Sequence, residues 1–345
     1  MSERIDISVV IPVYNAALLL DRCLDSVFNQ TTQYRVEVVV VDDGSTDNTV
    51  DVIKKRPEQD RIVLYQQENA GPAVARNKGV ELAHGEFCAY LDADDYWMDG
   101  YIEETVSFMK EHKDCVAVTV AQKYMSCGVE IRKHPDFMNL GGDISKISEY
   151  NYIADGVPFV LNDFYDFWVR WRHVGTCSST MRRDVLLKSG GQRSDLRICE
   201  DMEFWPYLAS FGKWGFVPKI LYVSDGGEIV RQQGWKKYTM RFKNVPMYDQ
   251  WFKRLESKLT DEQKNILKPV LNDVICGESR AMISGGDFHK AYENLKYFYW
   301  GFDEPYYVKI WRMGRLPFYC FSILWRGYQY LKINKGVLMQ KIRIK

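Results

Sequence analysis

Three aspartates within four residues are the strongest candidates for chemistry in this chain. Asp92, Asp94 and Asp95 directly follow the apolar segment 87–91. Carboxylates two residues apart, where a chain leaves a strand, can reach one divalent cation, and their hard oxygens suit Mg²⁺ or Mn²⁺. Such a cation would bridge two phosphates and neutralise charge that grows on a diphosphate leaving group. The alternative is a solvated acidic turn that caps the next helix.

Polar residues near the ends of two earlier predicted strands suit a nucleobase. Asp43 could accept hydrogen bonds from a base imide, and Tyr14 offers an aromatic face for stacking. Gly44 allows a tight turn and a close approach of the ligand. The alternative is that Asp42 and Asp43 cap a helix and that Tyr14 packs in the interior.

Two further segments place charged residues at predicted helix N-termini. Arg76 lies near the first turn of a helix, where a guanidinium can reach a phosphate or a pyrimidine. A surface ion pair is the alternative. Glu200 and Asp201 begin a later helix, whose N-terminus favours an ionised carboxylate and keeps an aspartate available as a base. The alternative is that Glu200 and Asp201 are only the acidic residues that commonly occupy the first turn of a helix.

The elements that must position these residues alternate between strands and helices. Apolar runs predict buried strands, and apolar residues every three or four positions predict helices. The predicted strands are 7–13, 36–41, 62–66, 87–91 and 116–124, and the predicted helices are 18–30, 45–55, 73–83 and 99–112. We expect a mostly parallel α/β sheet with helices on both faces, which binds ligands outside the carboxyl ends of its strands. The polar segments 12–15, 42–45 and 92–95 should therefore meet at one edge.

Helix caps and the later segments complete the predicted organisation. Ser45 or Thr46 is the predicted N-cap of the second helix, and Asp99 that of the fourth. Beyond these, residues 123–156 predict a loop-rich excursion. The later predicted elements are a strand at 175–181 and helices at 183–189 and 200–211. We predict two domains, an α/β domain at 1–230 and a helical region rich in Tyr, Trp and Lys at 231–345.

Composition narrows the class of protein. The formal net charge of the 345 residues is zero, so the total gives no indication of a nucleic-acid partner. The eight cysteines contain no CxxC pair, which fits a reducing compartment better than a disulfide framework. The five histidines form no zinc-binding spacing, the N-terminus shows no signal peptide, and no apolar run approaches the ~20 residues of a spanning helix. We expect a cytoplasmic protein.

Taken in order, the motifs resemble those of family-2 glycosyltransferases with the GT-A fold. The matching segments are 10–15, 41–47, 71–79, 85–86, 91–95 and 199–201. The resemblance covers about residues 5–225 and implies a GT-A catalytic domain followed by a C-terminal helical extension.

The resemblance implies roles for the nucleotide-binding residues. Pro12 and Tyr14 match positions that line the base pocket, and Asn15 supports them. Asp43 matches the carboxylate that reads the base, usually uracil or guanine. Arg76 matches the basic residue beside the nucleotide.

The resemblance also implies the catalytic set and a divalent metal, Mn²⁺ or Mg²⁺. Asp92 faces the ribose, Asp94 the metal, and Asp95 supports them. Asp201, with Glu200 in support, matches the general base. Members of this family invert the anomeric centre, so the implied step is one displacement. Asp201 takes the acceptor hydroxyl proton while that oxygen attacks C1, and the nucleoside diphosphate leaves.

This chain departs from the family pattern at two places. Segment 222–227 has no His where many relatives carry one, so Asp225 or water would take its role. Segment 231–235 lacks the Arg of the processive QxxRW motif, which favours transfer of a single sugar.

Trp171 and His173 lie where relatives shape the acceptor site, although they could equally be core and loop residues.

The tail from residue 305 to residue 345 contains no acidic residue and interleaves basic with aromatic side chains. Such helices bind the surface of anionic membranes, at about 1 kcal/mol per basic residue. We expect peripheral contact with the inner leaflet, which would suit a lipid-linked acceptor. The alternative is a helical cap that packs on the catalytic domain.

The expected function is transfer of one sugar from a UDP-, GDP- or dTDP-sugar to a glycan or lipid-linked acceptor in surface polysaccharide, O-antigen or lipopolysaccharide synthesis. Nucleotidylyl transfer would require a glycine-rich basic loop after the first strand, and a dinucleotide-dependent oxidoreductase would require GxGxxG there. Segment 12–15 has neither. The other alternative is a non-catalytic nucleotide-sugar-binding or scaffolding protein, against which intact Asp92, Asp94 and Asp201 argue.

Overall fold

The computed structural model describes residues 4–126, 129–134, 156–171, 174–196, 199–225, 239, 242 and 245–343. The chain divides into two compact units. The first contains Met1–Ser194 and Phe204–Gly226, and the second contains Asp195–Glu203 and Gly227–Lys345.

The first unit contains a mixed sheet with flanking helices. Its strands are β1 (Ile7–Val13), β2 (Val36–Asp42), β3 (Ile62–Gln66), β4 (Phe87–Tyr90), β5 (Tyr96–Trp97), β6 (Cys115–Ser126), β7 (Val129–His134), β8 (Phe159–Val160), β9 (Ser179–Arg182) and β10 (Lys213–Ser224). Its helices are α1 (Leu20–Phe28), α2 (Thr49–Lys54), α3 (Pro72–Leu82), α4 (Tyr101–Glu111), α5 (Phe164–Trp171) and α6 (Arg183–Ser189). Helix α7 (Glu200–Ala209) begins in the second unit and ends in the first. The α/β class is confirmed.

Strand order explains why the polar segments meet. The order is β3-β2-β1-β4-β9-β6-β10-β5. β1 pairs in parallel with β2 and β4, and β2 pairs in parallel with β3. The carboxyl ends of β1, β2 and β4 therefore lie at one edge, which confirms the predicted convergence. The sheet is less uniformly parallel than expected, because β9 lies antiparallel between β4 and β6.

The core lies on both faces of the central strands. Ile7, Val9 and Ile11 face one side and are fully buried. Helix α1 packs on that side through Leu20, Cys23, Leu24 and Val27. On the other face, a Cβ added at Gly79 of α3 would lie 2.2 Å from Cγ1 of Val10, so α3 approaches β1 closely. Burial on both faces is why these strands have continuous apolar sequences.

Both predicted N-caps are wrong, because the polar side chains make other contacts. Helix α2 has Asn48 at its N-cap, and helix α4 has Gly100 there. Ser45 accepts a hydrogen bond from the Asn15 amide instead. Asp99 accepts hydrogen bonds from the amides of Thr31 and Gly100.

The predicted loop at 123–156 is wrong for its first part. Strand β6 continues to Ser126, and β7 pairs with it antiparallel. Residues 135–155 lie outside the described residues. The predicted strand at 175–181 is also only partly correct, because Thr176–Ser178 form a 3₁₀ helix before β9. The amide of Gly175 donates to the Ser178 hydroxyl, which stabilises that turn.

The second unit is helical in the part that the structure describes. Its further helices are α8 (Tyr248–Glu256), α9 (Asp261–Gly285), α10 (Phe288–Asn294), α11 (Tyr306–Arg312) and α12 (Arg315–Arg343). Helix α9 begins with a capping box formed by Thr260 and Gln263 and ends at Gly286, whose φ of 96° is left-handed. Within the described residues, none of the helices combines the length and the apolar character needed to cross a bilayer.

Candidate functional site

The loop after β1 is tied to the loop after β2. Asn15 has a φ of 52°, a left-handed conformation that asparagine tolerates better than most residues. Its amide donates to the Ser45 hydroxyl at 2.9 Å, and its side-chain oxygen accepts from the Thr46 amide at 2.7 Å. The neighbouring Tyr14 is 50% exposed, which leaves its ring open to a stacking partner. Pro12 lies inside strand β1, where it is paired with β2.

Asp43 organises the loop that leads into α3. Its buried carboxylate accepts hydrogen bonds from the Gln67 side chain at 2.8 Å and from the amides of Ala70 and Gly71 at 2.8 and 2.9 Å. Its own amide donates to the Val13 carbonyl oxygen at 2.8 Å. Asp43 therefore connects the end of β1 to the N-terminus of α3, a structural role that sequence reasoning missed.

Arg76 projects from α3 toward the acidic turn that follows β4. The residue is only 5% exposed, so it is not the surface ion pair considered as an alternative. Its guanidinium donates to Asp92 Oδ1 at 2.8 Å and to Gln192 Oε1 at 3.2 Å. Asn77 exchanges two hydrogen bonds with the backbone of Gln192. Sequence reasoning missed Gln192, for which the adjacent glycines 190 and 191 were the available signal.

The acidic turn gathers carboxylates that repel one another. Burial and the negative charges of Asp94 and Asp92 raise the pKa of Asp95 to about 7. Burial and the Asp92 charge raise the pKa of Asp94 to about 6. Asp95 also accepts hydrogen bonds from the Tyr222 hydroxyl and the Asp225 amide. Because a cation would relieve this repulsion and carboxylate oxygens suit a hard ion, these residues fit a divalent metal.

Among the residues that the structure describes, the side chains that lie close enough together to share one metal ion are not the predicted ones, since they do not include Asp94. Potential ligand atoms of Asp92, Asp95 and Cys177 lie within 4.8 Å of one another. Burial raises the pKa of the Cys177 thiol well above its ordinary value, and a protonated thiol is a poor ligand for Mn²⁺ or Mg²⁺. The carboxylates of Asp92 and Asp95 are therefore the better ligands of this group for such an ion. The assignment of Asp94 as the metal ligand stays a prediction.

Arg22 of α1 supplies a cation that sequence reasoning missed. Its guanidinium donates to the Asp94 carbonyl oxygen at 2.8 Å, pairs with the Asp225 carboxylate, and lies 4.7 Å from the centre of the Tyr96 ring. Asp225, considered as a substitute for the missing His, contacts the acidic turn directly through its backbone amide, and its side chain is connected to that turn through Arg22. The helical period of α1 predicted its apolar face but offered no signal for this polar contact.

Glu200 and Asp201 lie in the first turn of α7, as predicted, and belong to the second unit. The Asp201 carboxylate accepts a hydrogen bond from the Met202 amide at 2.8 Å. The other predicted site residues belong to the first unit. The side chain of Trp171, together with residues 172–173 and 226–238, lies outside the described residues, so the predictions for His173 and for segment 231–235 stay predictions.

Comparisons with known proteins establish the family of this chain. The profile described as "Glycosyl transferase family 2" matches residues 8–187. Glycosyltransferase GlyA of Streptococcus pneumoniae serotype 4 is 40% identical over 236 residues, which are 68% of this chain and 30% of that protein. The poly(ribitol-phosphate) beta-glucosyltransferase of Bacillus spizizenii is 35% identical over 32% of this chain and 18% of that protein. The chain thus matches less than a third of the length of either relative.

Solved structures share the fold at low identity. TarS 1-349 of S. aureus in complex with UDP-GlcNAc has a TM-score of 0.56 and 16% identity, over 97% of this chain and 92% of that one. The mannosyltransferase PcManGT of Pyrobaculum calidifontis, in complex with GDP-Man and Mn²⁺, has a TM-score of 0.52 and 18% identity, over 100% and 89% of the two chains. With a family profile that spans more than half of its residues, the chain belongs to glycosyl transferase family 2 and has the GT-A fold.

Proposed function

We propose that this protein is an inverting glycosyltransferase that moves one sugar from a nucleotide diphosphate sugar to an acceptor hydroxyl. The observation that carries this proposal is the pairing of buried Arg76 with Asp92 at the sheet edge where Tyr14, Asn15 and Asp43 also lie. That edge presents the exposed ring of Tyr14 and the carboxylates of the acidic turn, which lie beside the cationic side chains of Arg22 and Arg76. Such a combination suits a base, a ribose and a diphosphate.

The carboxylates of Asp92, Asp94 and Asp95 would hold a divalent metal. When bound, Mn²⁺ or Mg²⁺ would supply positive charge to the diphosphate leaving group. Arg76 orients Asp92 through its hydrogen bond, and Tyr222 does the same for Asp95. The structure of PcManGT contains GDP-Man and Mn²⁺, which makes a metal-dependent donor site reasonable here.

Asp201 would take the proton of the acceptor hydroxyl. Its place in the first turn of α7 favours the ionised carboxylate, since the helix N-terminus carries partial positive charge. The Met202 amide donates a hydrogen bond to one carboxylate oxygen at 2.8 Å, which orients the group that would accept the proton. As the hydroxyl loses its proton, its oxygen bonds to C1 of the sugar and the bond from C1 to the diphosphate breaks.

The donor is a UDP-, GDP- or dTDP-sugar, and the acceptor is a glycan or a lipid-linked acceptor of the cell surface. Names of the relatives support this class, since one of them acts on poly(ribitol-phosphate). A non-catalytic sugar-nucleotide-binding protein is the competing proposal, and an activity measurement separates the two.

A donor screen tests the proposed function. Incubation with UDP-, GDP- and dTDP-sugars should release a nucleoside diphosphate from one base class in Mn²⁺ and none in EDTA. Asp94→Ala should weaken Mn²⁺-dependent donor binding about 100-fold, equivalent to about 2.7 kcal/mol, by removing a metal ligand. Asp51→Ala, which removes an exposed carboxylate of α2, is the matched control and should bind the donor normally. Equal turnover in EDTA would contradict the metal requirement.

We further propose that the protein works at the cytoplasmic face of the inner membrane, which it contacts through α12. Leu316, Leu324 and Leu331 of this helix are 75%, 74% and 67% exposed. Several basic side chains of the tail bind protein groups instead, since Arg315 pairs with Glu293 and Arg326 donates to a backbone carbonyl. Apolar side chains, more than basic ones, would therefore provide the contact with lipid.

Vesicle sedimentation tests the membrane contact. The double variant Leu316→Glu/Leu324→Glu should bind vesicles containing anionic phospholipid at least about tenfold more weakly, because burying each leucine contributes about 1.5–3 kcal/mol. Leu187→Glu alters an exposed leucine of α6 and should bind as the unmodified protein does. Equal sedimentation of the double variant would show that α12 is not the contact.

A further inference from the structure

The segment that carries Asp201 is held at two points, one on each side of that residue. Cys199, two residues before it, has a φ of 56°, which is uncommon for a residue other than glycine. The Cys199 carbonyl oxygen accepts from the Glu203 amide at 3.2 Å and from the Trp251 indole at 2.9 Å. All of these residues belong to the second unit.

The second point of attachment is an ion pair. Glu203, two residues after Asp201, is fully buried, and both of its carboxylate oxygens accept hydrogen bonds from the Arg254 guanidinium, with Nε at 2.8 Å from Oε1. Two such hydrogen bonds restrain the orientation of the Glu203 carboxylate relative to the Arg254 guanidinium as well as the distance between them. Trp251 and Arg254 are three residues apart in α8, so they lie on the same face of that helix.

From these contacts we infer that Trp251 and Arg254 of α8 are positioning residues for the general base. They hold residues 199 and 203, and between those two anchors the first turn of α7 aims the Asp201 carboxylate. The helical C-terminal region thus contributes to catalysis by orienting the carboxylate that accepts the proton of the acceptor hydroxyl. This inference rests on the proposed role of Asp201.

Trp251→Phe is the most conservative test, because it keeps an aromatic ring and removes only the indole N–H. We expect kcat for transfer to fall about tenfold, since small displacements of a catalytic group have large effects on rate. The KM for the donor nucleotide sugar should change less than about twofold, because donor-site residues are untouched. Phe252→Leu is the matched control, since Phe252 is buried in the same helix and stacks on Tyr248. Its kcat per folded molecule should match that of the unmodified protein.

A double-mutant cycle separates positioning from a general loss of structure. In the Asp201→Asn background, Trp251→Phe should change the residual rate less than about twofold, because the group it orients is gone. A tenfold loss in both backgrounds would overturn the inference, as would an unchanged kcat for Trp251→Phe. If Asp201→Asn itself retained full transfer, the proposed base would be wrong, which is a distinct result.

The ion pair gives a second variant whose charge balance is preserved. Glu203→Gln with Arg254→Gln replaces both charged groups and avoids leaving a buried charge without its partner. We expect a kcat at least about tenfold lower, with folding checked by circular dichroism. Arg254→Lys alone, which keeps Glu203 and a positive charge, should retain part of the rate lost in the Gln/Gln variant, since one hydrogen-bonded ion pair can still form. Normal kcat in the folded Gln/Gln variant would refute the role of this pair.

Discussion

Asp201→Asn is expected to lower kcat for sugar transfer by at least about 10³-fold while donor binding stays within about twofold. The amide has nearly the shape of the carboxylate but cannot accept the acceptor proton. Its oxygen can still accept the hydrogen bond from the Met202 amide, so the first turn of α7 is retained. A loss of rate without a loss of binding is the signature of a missing general base.

Transfer rates at saturating donor, together with calorimetric titration of the nucleoside diphosphate, measure this effect. Asp184→Asn is the matched control, because Asp184 is an exposed carboxylate in the first turn of another helix, α6. It should transfer sugar at the normal rate. Full activity of Asp201→Asn would show that another group removes the proton.

Gly85→Ala is expected to lower the free energy of unfolding by about 3 kcal/mol, the upper range for overpacking a close contact. An added Cβ would lie 2.6 Å from the Ser8 amide nitrogen and 2.8 Å from the Ile7 carbonyl carbon and the Phe87 carbonyl oxygen. These are backbone atoms at the starts of β1 and β4, so no side-chain rotation relieves the overlap. The Gly85 amide also donates to the Ser8 hydroxyl, a bond that a displaced backbone would lose.

Urea unfolding followed by far-UV circular dichroism provides the measurement. Gly277→Ala is the control, since its new Cβ has no neighbour within 4 Å and lies inside helix α9. That substitution should be neutral or stabilise by up to about 1 kcal/mol. Stability of Gly85→Ala within about 0.5 kcal/mol of the unmodified protein would show that the two strands tolerate separation there.

Strand positions could be predicted from the sequence because buried parallel strands have unbroken apolar runs. Strands β1, β2, β3, β4 and β6 begin and end within two residues of their predicted bounds. The meeting of the polar segments at one edge followed from the parallel direction of β1, β2 and β4. A pattern along the chain therefore located the acidic turn without any knowledge of its partners.

Pairing across the sheet could not be predicted in the same way. Strand β9 is only four residues long, and nothing in Ser179–Arg182 specifies its direction. Its antiparallel place between β4 and β6 depends on residues far away in the chain. The N-caps failed for a related reason. The side chains of Ser45 and Thr46 can cap a helix, but both bind Asn15, about thirty residues earlier in the chain.

The sequence by itself determined the class of fold, the family and the types of residue at the donor site, because these depend on local periodicity and on motifs of a few residues. Only the tertiary structure decided which side chains hold those residues in place. Arg22 meets Asp225 across 203 positions, and Arg76 meets Gln192 across 116. Contacts of this kind arise when the whole chain folds, since hydrogen-bond partners are selected by distance in space and leave no periodic signal along the sequence.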